Sequence, residues 1–179
     1  MKKLSIEEMD AILLAHEIAE LEGDVEKTMK TVAPNPHYEF PSHGLAADGR
    51  DAVRAHYNRA LPKPADQEKR FVAAERRIDN LYGTNALVRE AWVSFTRDDG
   101  ERVTGLYLVV MEFDPELKKI TSERLYCDTT FAEMLSEDVD EEYARVPGVS
   151  PIVKSAPIID RHDAYEWAES TGQTVKDRG

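Results

Sequence analysis

Three long β-forming runs joined by two turn signals constrain this chain more than any other feature. NALVREAWVSFTR (85–97) reaches a turn at DDG, ERVTGLYLVVMEF (101–113) reaches a second at DPELKK, and ITSERLYCDTTF (120–131) closes the set. Turns this short join antiparallel neighbours, so the pattern predicts an antiparallel meander. The runs exceed the usual strand of about 5–6 residues, which predicts a strongly twisted and curved sheet. RFVAAERRID (70–79) alternates and precedes the meander as a further strand.

Helical signals dominate the first sixty residues. Ser5 and Glu8 have the spacing of a capping box, and Met9, Leu13 and His16 recur at helical spacing with Ile12 and Ala19 beside them. Gly23 ends this helix. Asp24 caps a second, VEKTMKTVA, which is expected to stop at Pro34 and Pro36. HYEFPS (37–42) reads as a short edge strand because of Pro41. The loop HGLAADG leads to a third helix over roughly 50–61, broken by LPKPADQ. Helices followed by a meander make an α+β pattern.

Beyond Ser136 the character changes to SEDVDEEY, a Pro- and Ser-rich stretch, and a polar tail. The expected division is a domain over 1–136 and an acidic, Pro-containing extension over 137–179. That extension either packs through Tyr165 and Trp167 or forms a partly ordered tail. The chain is 41% apolar and 32% charged, which suits a globular protein. Its formal charge of −12 argues against nucleic-acid binding. The one basic cluster, Lys69, Arg70, Arg76 and Arg77, is interrupted by acids. The apolar run AILLA near the N-terminus is too short to span a membrane. Cys127 is the single cysteine, so no intrachain disulfide forms, in keeping with a reducing cytoplasm.

Three stretches in the first half resemble the nuclear transport factor 2-like superfamily in its SnoaL-like branch: Gly23–Asp24 between two helices, the HYEFP strand, and GRDAVRAHY opening the next helix. KKITSERLYCDTTFAEML is similar to the closing strand of that family, and the resemblance covers roughly 8–135. It implies a cone, a curved and mostly antiparallel sheet wrapped around the N-terminal helices, with a pocket at the open end. Members include polyketide cyclases, ketosteroid isomerases, epoxide hydrolases, dehydratases and binding modules, so the site must decide the function. The ketosteroid isomerase set is not matched: its helix-one tyrosine aligns with His16, its general base with Phe40, and its protonated aspartate falls near Val109.

The candidate catalytic pair is His16 and Glu123. His16 lies on the apolar stripe of the first helix, where it is either a hydrogen-bonded core histidine or a group that titrates near neutrality. Glu123 shares a strand face with Leu125 and Cys127, and the resemblance implies that this face lines the pocket; the alternative is a salt bridge at the sheet edge. Tyr38, Phe40, Tyr57, Trp92 and Tyr107 are candidates for an aromatic lining or for structural core. Cys127 is expected to pack as a small apolar group. Glu90 shares a face with Trp92, and faces either an outer arginine or the interior as a buried carboxylate with a raised pKa. His37 and His43 lack a third partner for a metal, and no metal or cofactor motif is present.

The expected function is therefore cofactor-free acid–base chemistry on a small apolar or aromatic molecule: cyclisation, isomerisation, dehydration or hydration. The alternative is a non-catalytic ligand-binding or assembly module. In either case a homodimer through the outer sheet face, away from nucleic acid and membrane, is expected.

Overall fold

A computed structural model describes residues 2–61, 77–97, 99–152, 166 and 168–172. Four helices and seven strands are used below. Helix α1 spans Ile6–Leu21, α2 Val25–Thr31, α3 Arg50–Ala60 and α4 Thr129–Leu135. The strands are β1 (Val32–Phe40), β2 (Leu45–Asp48), β3 (Arg77–Gly83), β4 (Ala86–Thr96), β5 (Arg102–Asp114), β6 (Lys119–Cys127) and β7 (Val149–Pro151). They form one curved, unclosed sheet in the order β3-β4-β5-β6-β1-β2-β7. All neighbours are antiparallel except β1 and β6, which run parallel. The fold is the expected α+β arrangement, with the sheet wrapped around the N-terminal helices.

Local chemistry accounts for the helices. The Ser5–Glu8 capping box is formed reciprocally, and Met9, Ile12, Leu13, His16 and Ala19 are the buried face of α1. Gly23 takes a positive φ of 67° to leave the helix, and the Asp24 carboxylate accepts from the Lys27 amide to start α2.

Strand β1 differs from expectation. It begins at Val32, directly after α2, runs through both prolines, and lies inside the sheet between β6 and β2. The reason is a break in register. From Val32 to His37 β1 advances five residues while β6 advances two, from Ile120 to Ser122. Pro34 and Pro36 fall in this bulge, where a ladder donor is not needed. Arg50 substitutes for the missing ladder. Its guanidinium donates to the carbonyls of Met29 (2.7 Å), Val32 (2.8 Å) and Ala33 (3.2 Å), joining the end of α2 to the bulge. Replacing Arg50 with alanine is expected to cost about 2–4 kcal/mol, because three carbonyls lose charge-assisted donors. Urea unfolding measures this, and a change under about 0.5 kcal/mol would mean that water replaces the guanidinium.

Two short strands were not expected. HGLAADG contains β2, and β7 pairs with it from beyond residue 136. Gly148 permits this approach. It has a φ of +89°, and a Cβ there would sit 2.6 Å from the Asp48 carbonyl. Val139 and Tyr143 are buried in the main core, so this part of the extension packs inside the same hydrophobic cluster as α1 and the sheet. Tyr165 and Trp167, residues 70–76 of the first alternating run, and Lys69, Arg70 and Arg76 lie outside the described residues.

Helix α4 covers the inner face of the meander. A Cβ at Gly105 would lie 2.9 Å from the Phe131 Cβ and main-chain nitrogen, so only glycine lets α4 settle this closely on β5. No helix among the described residues is long and apolar enough to cross a membrane.

A buried histidine held by two carboxylates

The side chains that converge inside the sheet come from α1, α2, α3, β1 and β6. The His16 ring is 1% exposed. Its Nδ1 lies 2.6 Å from Thr31 Oγ1, whose own hydroxyl donates to the Thr28 carbonyl. That assignment leaves the Thr31 oxygen as acceptor and Nδ1 as donor. On the other side of the ring, Nε2 lies 3.1 Å from Glu20 Oε1, 3.3 Å from Glu123 Oε1 and 3.0 Å from the Tyr57 hydroxyl. Tyr57 donates to the Tyr38 hydroxyl (3.0 Å), and Tyr38 donates to Glu123 Oε1 (2.8 Å). The proton on Nε2 therefore meets only acceptors, the arrangement an imidazolium requires.

Burial by itself would hold the His16 pKa down; Glu20 and Glu123 outweigh it and raise the pKa from 6.5 to about 10. The ring is a cation at neutral pH. Burial and the Glu123 charge push both the Tyr38 and Tyr57 phenols well above their ordinary value, so they stay protonated donors.

Glu123 is anchored through one oxygen. Oε1 receives the Tyr38 hydroxyl and faces the imidazolium, whereas Oε2 has no hydrogen-bond partner among the described residues. The Glu123 side chain is 15% exposed and that of Glu20 34%, so the cluster reaches solvent through its carboxylates and not through the ring.

The structure thus brings together His16, Glu123, Tyr38 and Tyr57 from the sequence candidates. Glu20 and Thr31 were missed. Glu20 carried a signal, since it stands four residues after His16 on the same helix face. The other candidates lie elsewhere. Phe40 is core, with its ring 4.6 Å from His56 and 5.9 Å from Tyr143. Burial lowers the pKa of His56 to about 4, so it sits neutral in this aromatic nest. Tyr107 and Cys127 face each other across β5 and β6 and pack beneath α4, with the Tyr107 ring 4.9 Å from Phe131. They are four residues along β6 from Glu123, about 13 Å at strand rise. Burial raises the Cys127 thiol to about 11, as suits a small packing group.

Glu90 and Trp92 are corrected. Leu87, Arg89, Ala91 and Val93 take the buried face of β4, which turns Glu90 and Trp92 outward, where the indole donates to the carboxylate at 3.1 Å. Buried Arg89 holds the inner position through its ion pair with Glu17 of α1. Phe131, Leu135, Val139 and Tyr143 are buried in the interior, and a groove of about 310 Å³ lies behind α1, lined by residues of α1, the end of α2 and the start of β6.

His37 pairs with Asp48 (2.8 Å) and Glu39 (3.0 Å), while His43 bonds Ser42 and Ser136, both at 2.9 Å. Among the described residues no three His, Cys, Asp or Glu side chains are grouped to hold a metal ion.

No family model matches the chain, and no curated protein matches it. Solved structures do. An epoxide hydrolase/cyclase-like enzyme with a role in pyran ring formation in the polyether salinomycin aligns over 69% of this chain and 93% of its own, at 21% identity and a TM-score of 0.52. A putative SnoaL-like polyketide cyclase from Jannaschia aligns over 78% and 99%, at 12% identity and a TM-score of 0.55. A putative isomerase from Bacillus subtilis aligns over 74% and 92%, at 16% identity and a TM-score of 0.54.

Proposed function

On the cone fold that this chain shares with nuclear transport factor 2-like and SnoaL-like proteins, we propose that it performs cofactor-free acid–base chemistry on a small apolar or aromatic molecule. Glu123 is the base. The observation that carries this reading is the asymmetry of its carboxylate, with Oε1 fixed by Tyr38 and the His16 cation and Oε2 unengaged among the described residues. A general base needs one oxygen oriented and the other within reach of a substrate proton. His16 is enclosed, so its part in the pair is to hold Glu123 by charge and position. Tyr38 and Tyr57 supply a chain of phenolic protons behind the same oxygen.

This reading is supported by the scaffold's likeness to solved structures described as a putative polyketide cyclase, a putative isomerase and an epoxide hydrolase/cyclase-like enzyme. The direct test is exchange at carbon. Small aromatic and alicyclic ketones are incubated with the protein in D2O, and loss of the proton signal next to the carbonyl is followed by NMR. Exchange above the buffer rate supports the reading; a protein that exchanges no member of the panel removes proton abstraction from such carbons.

A second reading, a non-catalytic dimeric module, is favoured by a different observation. The interior is filled by α4 and Tyr143, while Leu81, Trp92, Leu108 and Tyr126 are exposed large apolar groups on the meander. Leu108 and Tyr126 face each other across β5 and β6, next to outward-facing Glu90. In this reading two copies cover that face. Light scattering at micromolar concentration is expected to give twice the chain mass, and a clean monomer would remove the dimer.

A further inference from the structure

We propose that the groove behind α1 binds a small amphiphilic carboxylate. The open groove has a volume of about 310 Å³ and is lined by Ala11, Ile12 and Ala15, by Lys30, Lys118 and Lys119, and by Thr31 and the Lys118-paired carboxylate of Glu8. Three features point to this class of ligand.

The first is charge. The chain carries a formal −12, yet three ammonium groups gather around one apolar recess. Lys118 is matched by Glu8 at 2.8 Å, whereas Lys30 and Lys119 have no carboxylate partner among the described residues. Lys30 also stands in the last turn of α2, where the helix dipole favours a cation, but no such reason applies to Lys119. A carboxylate between these two would meet their unmatched charge.

The second is size. At about 30 Å³ for each water-sized group, the groove admits roughly ten non-hydrogen groups. That suits a short acyl or aryl acid.

The third is the apolar floor. Ala11 and Ala15 lie one helical turn apart and hold the recess open, so a ligand buries its tail against α1 while its head reaches the lysines. Thr31 forms the inner wall, and its hydroxyl accepts from His16 Nδ1. The groove thus lies on the side of the imidazole opposite Glu123, separate from the base.

Calorimetry with octanoate and with octanamide, its uncharged counterpart of equal size, tests the proposal on the full chain. Octanoate is expected to bind at least about tenfold more tightly than octanamide, and Lys119→Glu to weaken octanoate by about tenfold. Ala15→Phe fills the recess from an exposed helix position and is expected to abolish binding without unfolding the protein. Octanoate should also shift the His16 Nδ1 resonance through Thr31. Equal affinity for the two probes, unchanged octanoate binding in Ala15→Phe, or no binding up to about 10 mM would each overturn the proposal. None of these variants touches Glu123, so failure here leaves the reading of the base intact.

Discussion

Glu123→Gln is expected to slow proton exchange by about 10²–10⁴-fold, the usual contribution of a positioned general base. The amide keeps the shape of the carboxylate, and its oxygen can still accept from Tyr38, so the side chain stays in place. His16 keeps Glu20 at 3.1 Å, so its charge is not left alone. The stability cost should be about 1–2 kcal/mol, small against the roughly 5–15 kcal/mol of an ordinary domain. Exchange rate and urea midpoint measured on one preparation separate the two effects. An unchanged rate in a folded variant would transfer the chemistry away from Glu123.

His16→Leu is the most damaging single substitution for the fold. Leucine is close in size but leaves Glu20 and Glu123 facing each other with no cation between them. Removing one partner from a buried charge cluster costs about 3–5 kcal/mol. The wild-type protein should also show the pH signature of this ring. Its folded pKa lies above the unfolded value, so the contribution is full below pH 6.5 and is lost as pH rises to about 10. Urea midpoints across that interval should fall in the wild type, with a smaller slope in His16→Leu. A flat wild-type profile, or a loss under about 1 kcal/mol in the variant, would mean that the ring is neutral when folded.

The parts of this molecule that were legible in its sequence are those governed by neighbours along the chain. The capping box, the stripe from Met9 to Ala19 and the three meander strands rest on local periodicity and turn chemistry and appear near their expected bounds, except that β6 ends at Cys127 and Thr129–Phe131, read as strand, open α4. Strands β2 and β7 did not show, because four and three residues carry too little alternation to register. Pro34 and Pro36 read as a stop because a bulge is a property of the partner strand, and it is Arg50, far along the chain, that makes it tolerable. The site divides in the same way. Parity along β6 grouped Glu123 with Leu125 and Cys127, and only the resemblance implied that this face is the inner one; its distance from His16 depends on the parallel pairing of β1 with β6, which no local pattern encodes. Trp92 was expected inside and Glu90 stayed open between the two faces, because LVREAWVSF offers no clean alternation. Arg89 lies on the buried face, and Glu17 makes that possible.

The parallel pairing also governs when the cluster can exist. Tyr38 and Glu123 are 85 positions apart, and among the described strands β1 pairs with the meander through β6 alone. At about 5–20 residues per second, synthesis takes roughly 4–17 s to pass from one to the other. Through that interval α1 and β1 are complete while the sheet centre they cover has not been made. The long loop must be closed before its contacts return any stability, which places this chain among slow, high-contact-order folders. A nascent chain therefore holds His16 and Glu20 together on α1 for seconds before Glu123, the second carboxylate of the cluster, is translated.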